Sequence, residues 1–170
     1  MQRTIAVVVM CVVMMLISAS VRADDAQRRC TRIGNNWVKF WNNQKAERAS
    51  EVFTKDILYE DVPLGAVFHG ADEFVAFAKN VFTTFPQSTF TLVKSSCSHQ
   101  QGFIEWIRNA IDTQEEGKGF FQTGLPIEVR GVSVIEIHEN RISRNSDYWD
   151  FATVMGQLGC DTFPSCHKIP

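Results

Sequence analysis

The sequence predicts an α+β domain in which helices come first and a curved antiparallel sheet follows. Two observations carry that expectation. Up to about residue 86 the apolar residues recur at helical spacing, and from residue 89 the period drops to two. Short turn signals separate the later segments, with no repeat or linker between them, so one layer of helices should pack on one sheet.

The first element is a leader. Arg3 supplies a positive start, residues 5–17 are almost unbroken apolar sequence, and Val21-Arg22-Ala23 is a small-residue cleavage signature. The apolar run is short for a spanning helix, which needs about 20 residues. A signal peptide over residues 1–23 is therefore expected, with an uncleaved anchor as the alternative. Residues 24–170 would form the secreted domain, long enough for a real core. No later segment is suited to crossing a membrane. Loss of Arg3 and Arg22 leaves 15 basic against 19 acidic residues, and no basic cluster stands out. Nucleic acid is an unsuitable partner for such a surface.

Residues 28–44 place Ile33, Trp37, Phe40 and Trp41 on one helical face, and residues 45–53 read as a second, shorter helix. Residues 57–62 form a short strand, stopped by Pro63 and Gly65. Asp72 is the expected N-cap of a third helix whose inner side carries Phe74, Phe77, Ala78, Val81 and Phe85. Strands follow over residues 89–94 and 103–111. A hairpin turn is expected at residues 115–118, and the chain returns through Pro126 and Ile127. Val134, Ile135 and Ile137 lead to a tight turn at Glu139-Asn140-Arg141 and a last strand over residues 142–149. A short helix begins near Phe151, with Asp150 or Asp147 as its cap. The aromatic helix faces should pack on the concave side of the sheet and enclose an apolar pocket.

Ser143, Asn145, Asp147 and Trp149 alternate onto one side of the last strand. If that side lines a cavity, Asp147 is a carboxylate in apolar surroundings, suited to acid–base work. His69 and His138 are expected at the surface. Neither a CxxC pair nor histidines at ligand spacing point to a metal, and no nucleotide-binding fingerprint points to a cofactor. Outside the leader, Cys30, Cys97, Cys160 and Cys166 form an even set, which in a secreted chain suggests two disulfides. Either Cys160 and Cys166 close a local loop, leaving Cys30 for Cys97, or the tail is stapled to the first helix.

Two patches carry a family resemblance over roughly residues 33–159. Tyr59-Glu60-Asp61-Val62-Pro63-Leu64 resembles the Tyr-x-Asn-x-Pro-Leu segment of limonene epoxide hydrolases. Asn140-Arg141-Ile142, Asp147-Tyr148-Trp149-Asp150 and Gln157-Leu158-Gly159 resemble the endings of SnoaL-like polyketide cyclases. Both families belong to the nuclear-transport-factor-two-like superfamily. The resemblance implies a cone-shaped fold and a catalytic carboxylate at Asp147. In the cyclases that residue shuttles a proton for ring closure, and in the epoxide hydrolases it deprotonates water. Tyr59 and Asp61 fall where the hydrolases hold that water, although Asp61 stands in place of Asn. The hydrolases also require a carboxylate on the middle strand with an arginine two residues before it. Glu105 is the best match, but Phe103 takes the arginine position. Ser133 falls where the cyclases carry a histidine.

The sequence therefore points to a secreted, cofactor-free enzyme acting by acid–base chemistry on a hydrophobic small molecule. The reaction would be epoxide hydrolysis, cyclisation or isomerisation. Asp147, Tyr59, Asp61 and Glu105 are the catalytic candidates. Trp37, Trp41, Phe103, Ser133 and Trp149 are the substrate-binding ones. A non-catalytic carrier of a hydrophobic metabolite and a homodimeric interaction domain are the alternatives. The middle strand leaves one question open. If its Trp106 side faces inward, Arg108 becomes the buried polar group and Glu105 is solvated.

Overall fold

A computed structural model describes residues 24–116 and 120–160, so the expected leader and Cys166 lie outside the described residues. Helix α1 covers residues 24–43 and buries Ile33, Trp37, Phe40 and Trp41, the stripe expected from their spacing. The second expected helix is a 3-10 turn, Ala46–Glu51, and strand β1 runs longer than expected, Phe53–Asp61. A second 3-10 turn, Val62–Leu64, has Pro63 inside it and ends on Gly65, whose φ of +63° suits glycine. β2, Ala66–His69, leads into α2, Gly70–Thr84. The N-cap of α2 is His69 rather than Asp72, which sits in the first turn. Glu73 holds this start by accepting the His69 backbone N–H at 2.7 Å.

β3, Thr89–Ser98, β4, Gln101–Ile111, β5, Pro126–His138, and β6, Arg141–Trp149, form an antiparallel meander. The β5–β6 hairpin turns at Glu139 and Asn140, both with positive φ, as the tight turn requires. The expected turn near residue 115 is a longer connection held by the buried Asp112 carboxylate. That carboxylate accepts the backbone N–H groups of Phe120, Phe121 and Thr123. Helix α3, Phe151–Gln157, is capped by Asp150, which accepts Thr153 N–H at 2.9 Å. Cys30 is bonded to Cys97, tying α1 to β3, and Cys160 is also disulfide-bonded.

The sheet order is β2-β1-β6-β5-β4-β3. It is not wholly antiparallel: β1 runs parallel to β6, pairing Tyr59 with Asn145 and Asp61 with Asp147. β5 alternates strictly, with Ile127, Val129, Gly131, Ser133, Ile135 and Ile137 facing the helices. On β4 the inward residues are Ile104, Trp106 and Ala110, with Arg108 on the same side, and Phe103 and Glu105 point away. β6 contains a bulge. Ile142 pairs with Ile137 and Arg144 with Glu136, so Ser143 is the extra residue and does not share the face of Asn145 and Asp147.

Aromatic rings fill the space between helices and sheet. Trp37 stacks on Trp106 at 5.9 Å and meets Phe90 edge-on at 5.3 Å, and Phe74 packs on Phe53 and Tyr59 at 4.5 and 4.7 Å. Each fully buried aromatic contributes about 1.5–3 kcal/mol of transfer free energy, so this layer dominates the core. Trp106 requires a glycine opposite it. A Cβ at Gly131 would lie 2.3 Å from the indole ring.

Candidate active site

Four strand positions and one helix position converge on Asp147, near the end of β6. Its Oδ1 accepts the Ser133 hydroxyl at 2.5 Å and the Asn145 amide at 2.7 Å. Its Oδ2 accepts the Tyr59 hydroxyl. Two of these three donors, Ser133 and Asn145, are themselves aimed by indoles. Trp106 Nε1–H donates to Ser133 Oγ, and Trp37 Nε1–H donates to Asn145 Oδ1, both at 3.0 Å. Trp106 and Trp37 come from β4 and α1, so the stacked pair in the core also sets the polarity of the site. The carboxylate has about four acceptor positions. Three are filled, and the vacant one is on Oδ2.

Burial pushes the Asp147 carboxyl up to about 6, against the downward pull of Ser133, Tyr59 and Asn145, and Asp61 adds to the rise. Desolvation thus outweighs three donors. Tyr59 is driven well above the ordinary phenol range, first by burial and then by the Asp147 charge, so it stays a donor throughout the working pH range.

Asp61 lies beside Asp147 in register on β1. Trp149 Nε1–H donates to its Oδ1 at 3.0 Å. Burial raises its pKa as well, opposed by Trp149, the Leu64 amide and the Arg108 charge. Asp61, Arg108 and Trp149 form the polar end of a cavity of about 120 Å³ whose other walls include Phe77, Val129 and Val154. Asp147 does not line this cavity but pairs in register with Asp61, which does. Burial depresses Arg108 to about 10, leaving it cationic at neutral pH.

The structure therefore brings Asp147, Tyr59, Asp61, Ser133, Trp37 and Trp149 to one place. Trp41 is buried in the core layer beside Tyr59, at 6.1 Å between rings, without a polar contact to Asp147. Glu105 and Phe103 are not brought there. Alternation on β4 sends them to the outer face, where Glu105 pairs with Arg130 at 3.2 Å. A role for Glu105 as catalytic acid is withdrawn on that geometry. Two polar positions of this cluster had no role assigned from sequence. Asn145 carried a signal in its spacing from Asp147. Arg108 was expected as the buried polar group only if the Trp106 side faced inward, which is the side that β4 presents to the core. Among the described residues no group of three or more His, Cys, Asp or Glu side chains is arranged to hold a metal.

Comparison with known proteins agrees with this architecture. The family described as SnoaL-like polyketide cyclase matches residues 31–158. No curated protein matches the chain in sequence. Among solved structures, a protein with a ketosteroid isomerase-like fold from Catenulispora acidiphila, in complex with trimethylamine, superposes with a TM-score of 0.66 at 19% identity. It covers 78% of this chain and 97% of its own. IdmH from Streptomyces antibioticus, assigned as a polyketide cyclase, gives 0.64 at 16% identity, with 76% and 97% covered. A protein from Jannaschia sp. CCS1, assigned as a SnoaL-like polyketide cyclase, gives 0.65 at 12%, with 78% and 92% covered. At these identities the likeness concerns the fold.

Proposed function

Because the chain belongs to the SnoaL-like polyketide cyclase family, we propose that it is a cofactor-free enzyme that moves a proton at carbon in an apolar small molecule. The reaction is a ring closure or an isomerisation. The observation that carries this reading is the Asp147 carboxyl, buried, lifted to about 6, held by three donors and paired in register with Asp61, which lines an apolar cavity. A base is most effective when its pKa lies near the operating pH. Asp147 takes the proton on the vacant position of Oδ2. Tyr59, locked in its protonated form, steadies the carboxylate as its charge changes, and Asp61 presents the cavity with a second carboxylate of raised pKa. We also propose that the protein is exported and cleaved after Ala23. An N-terminus at Asp24 in the exported protein would support this, and an intact leader would refute it.

Epoxide hydrolysis is the weaker version of the same chemistry. It asks for a carboxylate and an arginine on the inner side of the middle strand two residues apart. The inner residues there are Trp106 and Arg108, with Glu105 outside.

The test is deuterium exchange into apolar ketones such as 2-tetralone in heavy water, run beside terpene epoxides in heavy-oxygen water. The mature chain should catalyse carbon–deuterium exchange, with a rate that rises as pH passes through about 6. Asp147→Asn should lower that rate by about 10²–10⁴. Labelled diol from the epoxides would replace the carbon-acid reading with the hydrolytic one. Ligand binding without exchange or hydrolysis would leave a carrier.

A further inference from the structure

The cavity contains a cation that the proton-transfer scheme above does not use. Arg108 projects from β4 into the cavity wall. Its Nε donates to Ser88 Oγ at 3.0 Å, and its guanidinium lies over the rings of Phe85 at 4.4 Å and Phe90 at 5.5 Å. These contacts fix its plane. Its Nη2 is nonetheless buried with no hydrogen-bond partner. An orphaned charged donor in an apolar setting costs more than a neutral one. The carboxylates that face it do not remove that cost. Asp61 attracts it through space but directs Oδ1 to Trp149, and Asp147 is engaged by Tyr59, Ser133 and Asn145.

We infer that Arg108 is the oxygen-binding residue of this cavity, its Nη2 receiving the carbonyl oxygen of an apolar, enolisable ketone and holding it as the enolate. The inference rests on the proton-transfer reading and names its substrate class. When the α C–H bond breaks, the proton goes to the Asp147 carboxylate and the bonding pair moves through the carbonyl carbon onto oxygen. A single negative charge is thereby moved from Asp147 to an oxygen facing Arg108. The unpartnered Nη2 donor is satisfied when that charge develops, which is the arrangement that favours a transition state over a ground state. The two phenylalanine rings exclude water from the guanidinium and keep its field strong.

Binding of 4-nitrophenol tests this without turnover, because its phenolate mimics the enolate and absorbs differently from the neutral phenol. The wild-type mature chain should bind it as phenolate and lower its apparent pKa. Arg108→Met should weaken phenolate binding about ten- to hundredfold, the value of a hydrogen bond to a charged group. Nitrobenzene, which has no ionisable oxygen, should bind both proteins alike. Arg108→Lys should fall between them, since it keeps the charge but loses the planar fork. Wild-type protein that binds only the neutral phenol, or nothing, overturns the inference whether or not the variants fold. A folded Arg108→Met with phenolate affinity within about twofold of wild type also overturns it. Wild-type protein that binds the phenolate through Arg108 but exchanges no ketone would refute Asp147 as base and leave Arg108 in its role.

Discussion

Strands β1 and β6 carry two carboxylates that receive hydroxyl donors on opposite faces, and the two respond in opposite directions. On the outer face, Glu60 accepts the Ser146 hydroxyl and pairs with Arg144 at 3.0 Å. These contacts hold it below the ordinary carboxylate range. On the inner face, Asp147 accepts Ser133, Tyr59 and Asn145 and is nevertheless raised to about 6. More donors reach Asp147 than Glu60, so the count of hydrogen bonds does not set the outcome. Access to water does, together with the sign of the nearest charge. Glu60 is partly solvated and faces Arg144, and Asp147 is enclosed and faces Asp61. The same two strands thus make an ion pair on one side and a buried carboxyl of raised pKa on the other.

The largest effect should come from removing the inner charge. Asp147 has a folded pKa of about 6 against an ordinary 3.8, so the folded state binds more protons than the unfolded chain between those values. Stability should therefore fall as pH rises from about 4 to about 6, by about 3 kcal/mol at most. Asp147→Asn should flatten that slope in urea titrations across the range. An unchanged slope would place the titration elsewhere.

Tyr59→Phe sharpens the comparison by taking away a donor without changing solvation. The donor lowers the Asp147 pKa, so its loss should move the midpoint of the exchange profile above about 6. Gly131→Ala disturbs the site from behind. The new methyl must displace the Trp106 ring and with it the donor that aims Ser133. Such overpacking costs about 1–3 kcal/mol, read from denaturant midpoints. The outer face should yield the smallest effects. Glu60→Gln and Glu105→Gln break ion pairs between partly exposed groups, worth about 1 kcal/mol or less and weakened by salt. Neither should alter exchange.

The sequence made the inner face of α1, the hairpin at Glu139-Asn140 and the Asp150 cap readable, since each depends on spacing or turn chemistry within a few residues. Asp147 was readable in the same way, from its place at the end of a β-rich hairpin. The face of β4 was not. Phe103 and Ile107 on one side and Ile104 and Trp106 on the other are equally apolar, and only pairing with Gly131 and Ser133 decides between them. The N-cap of α2 was misplaced because Glu73 reaches back to His69, which satisfies the helix start without a capping side chain. The bulge at Ser143 and the parallel approach of β1 to β6 have no local signature, because both are set by partners far along the chain.

That parallel approach also dictates when the site appears. Tyr59 and Asp147 are 88 residues apart, and β1 has no partner on that edge until β6 has been made. Closing so long a loop costs entropy before its contacts repay it, which places the step late in folding. On the ribosome, the nascent chain would carry an unpaired β1 and a dispersed set of donors. Proton-transfer capacity would then arrive with the completed sheet, and chain truncated before β6 would be inert as well as exposed along the edge of β1.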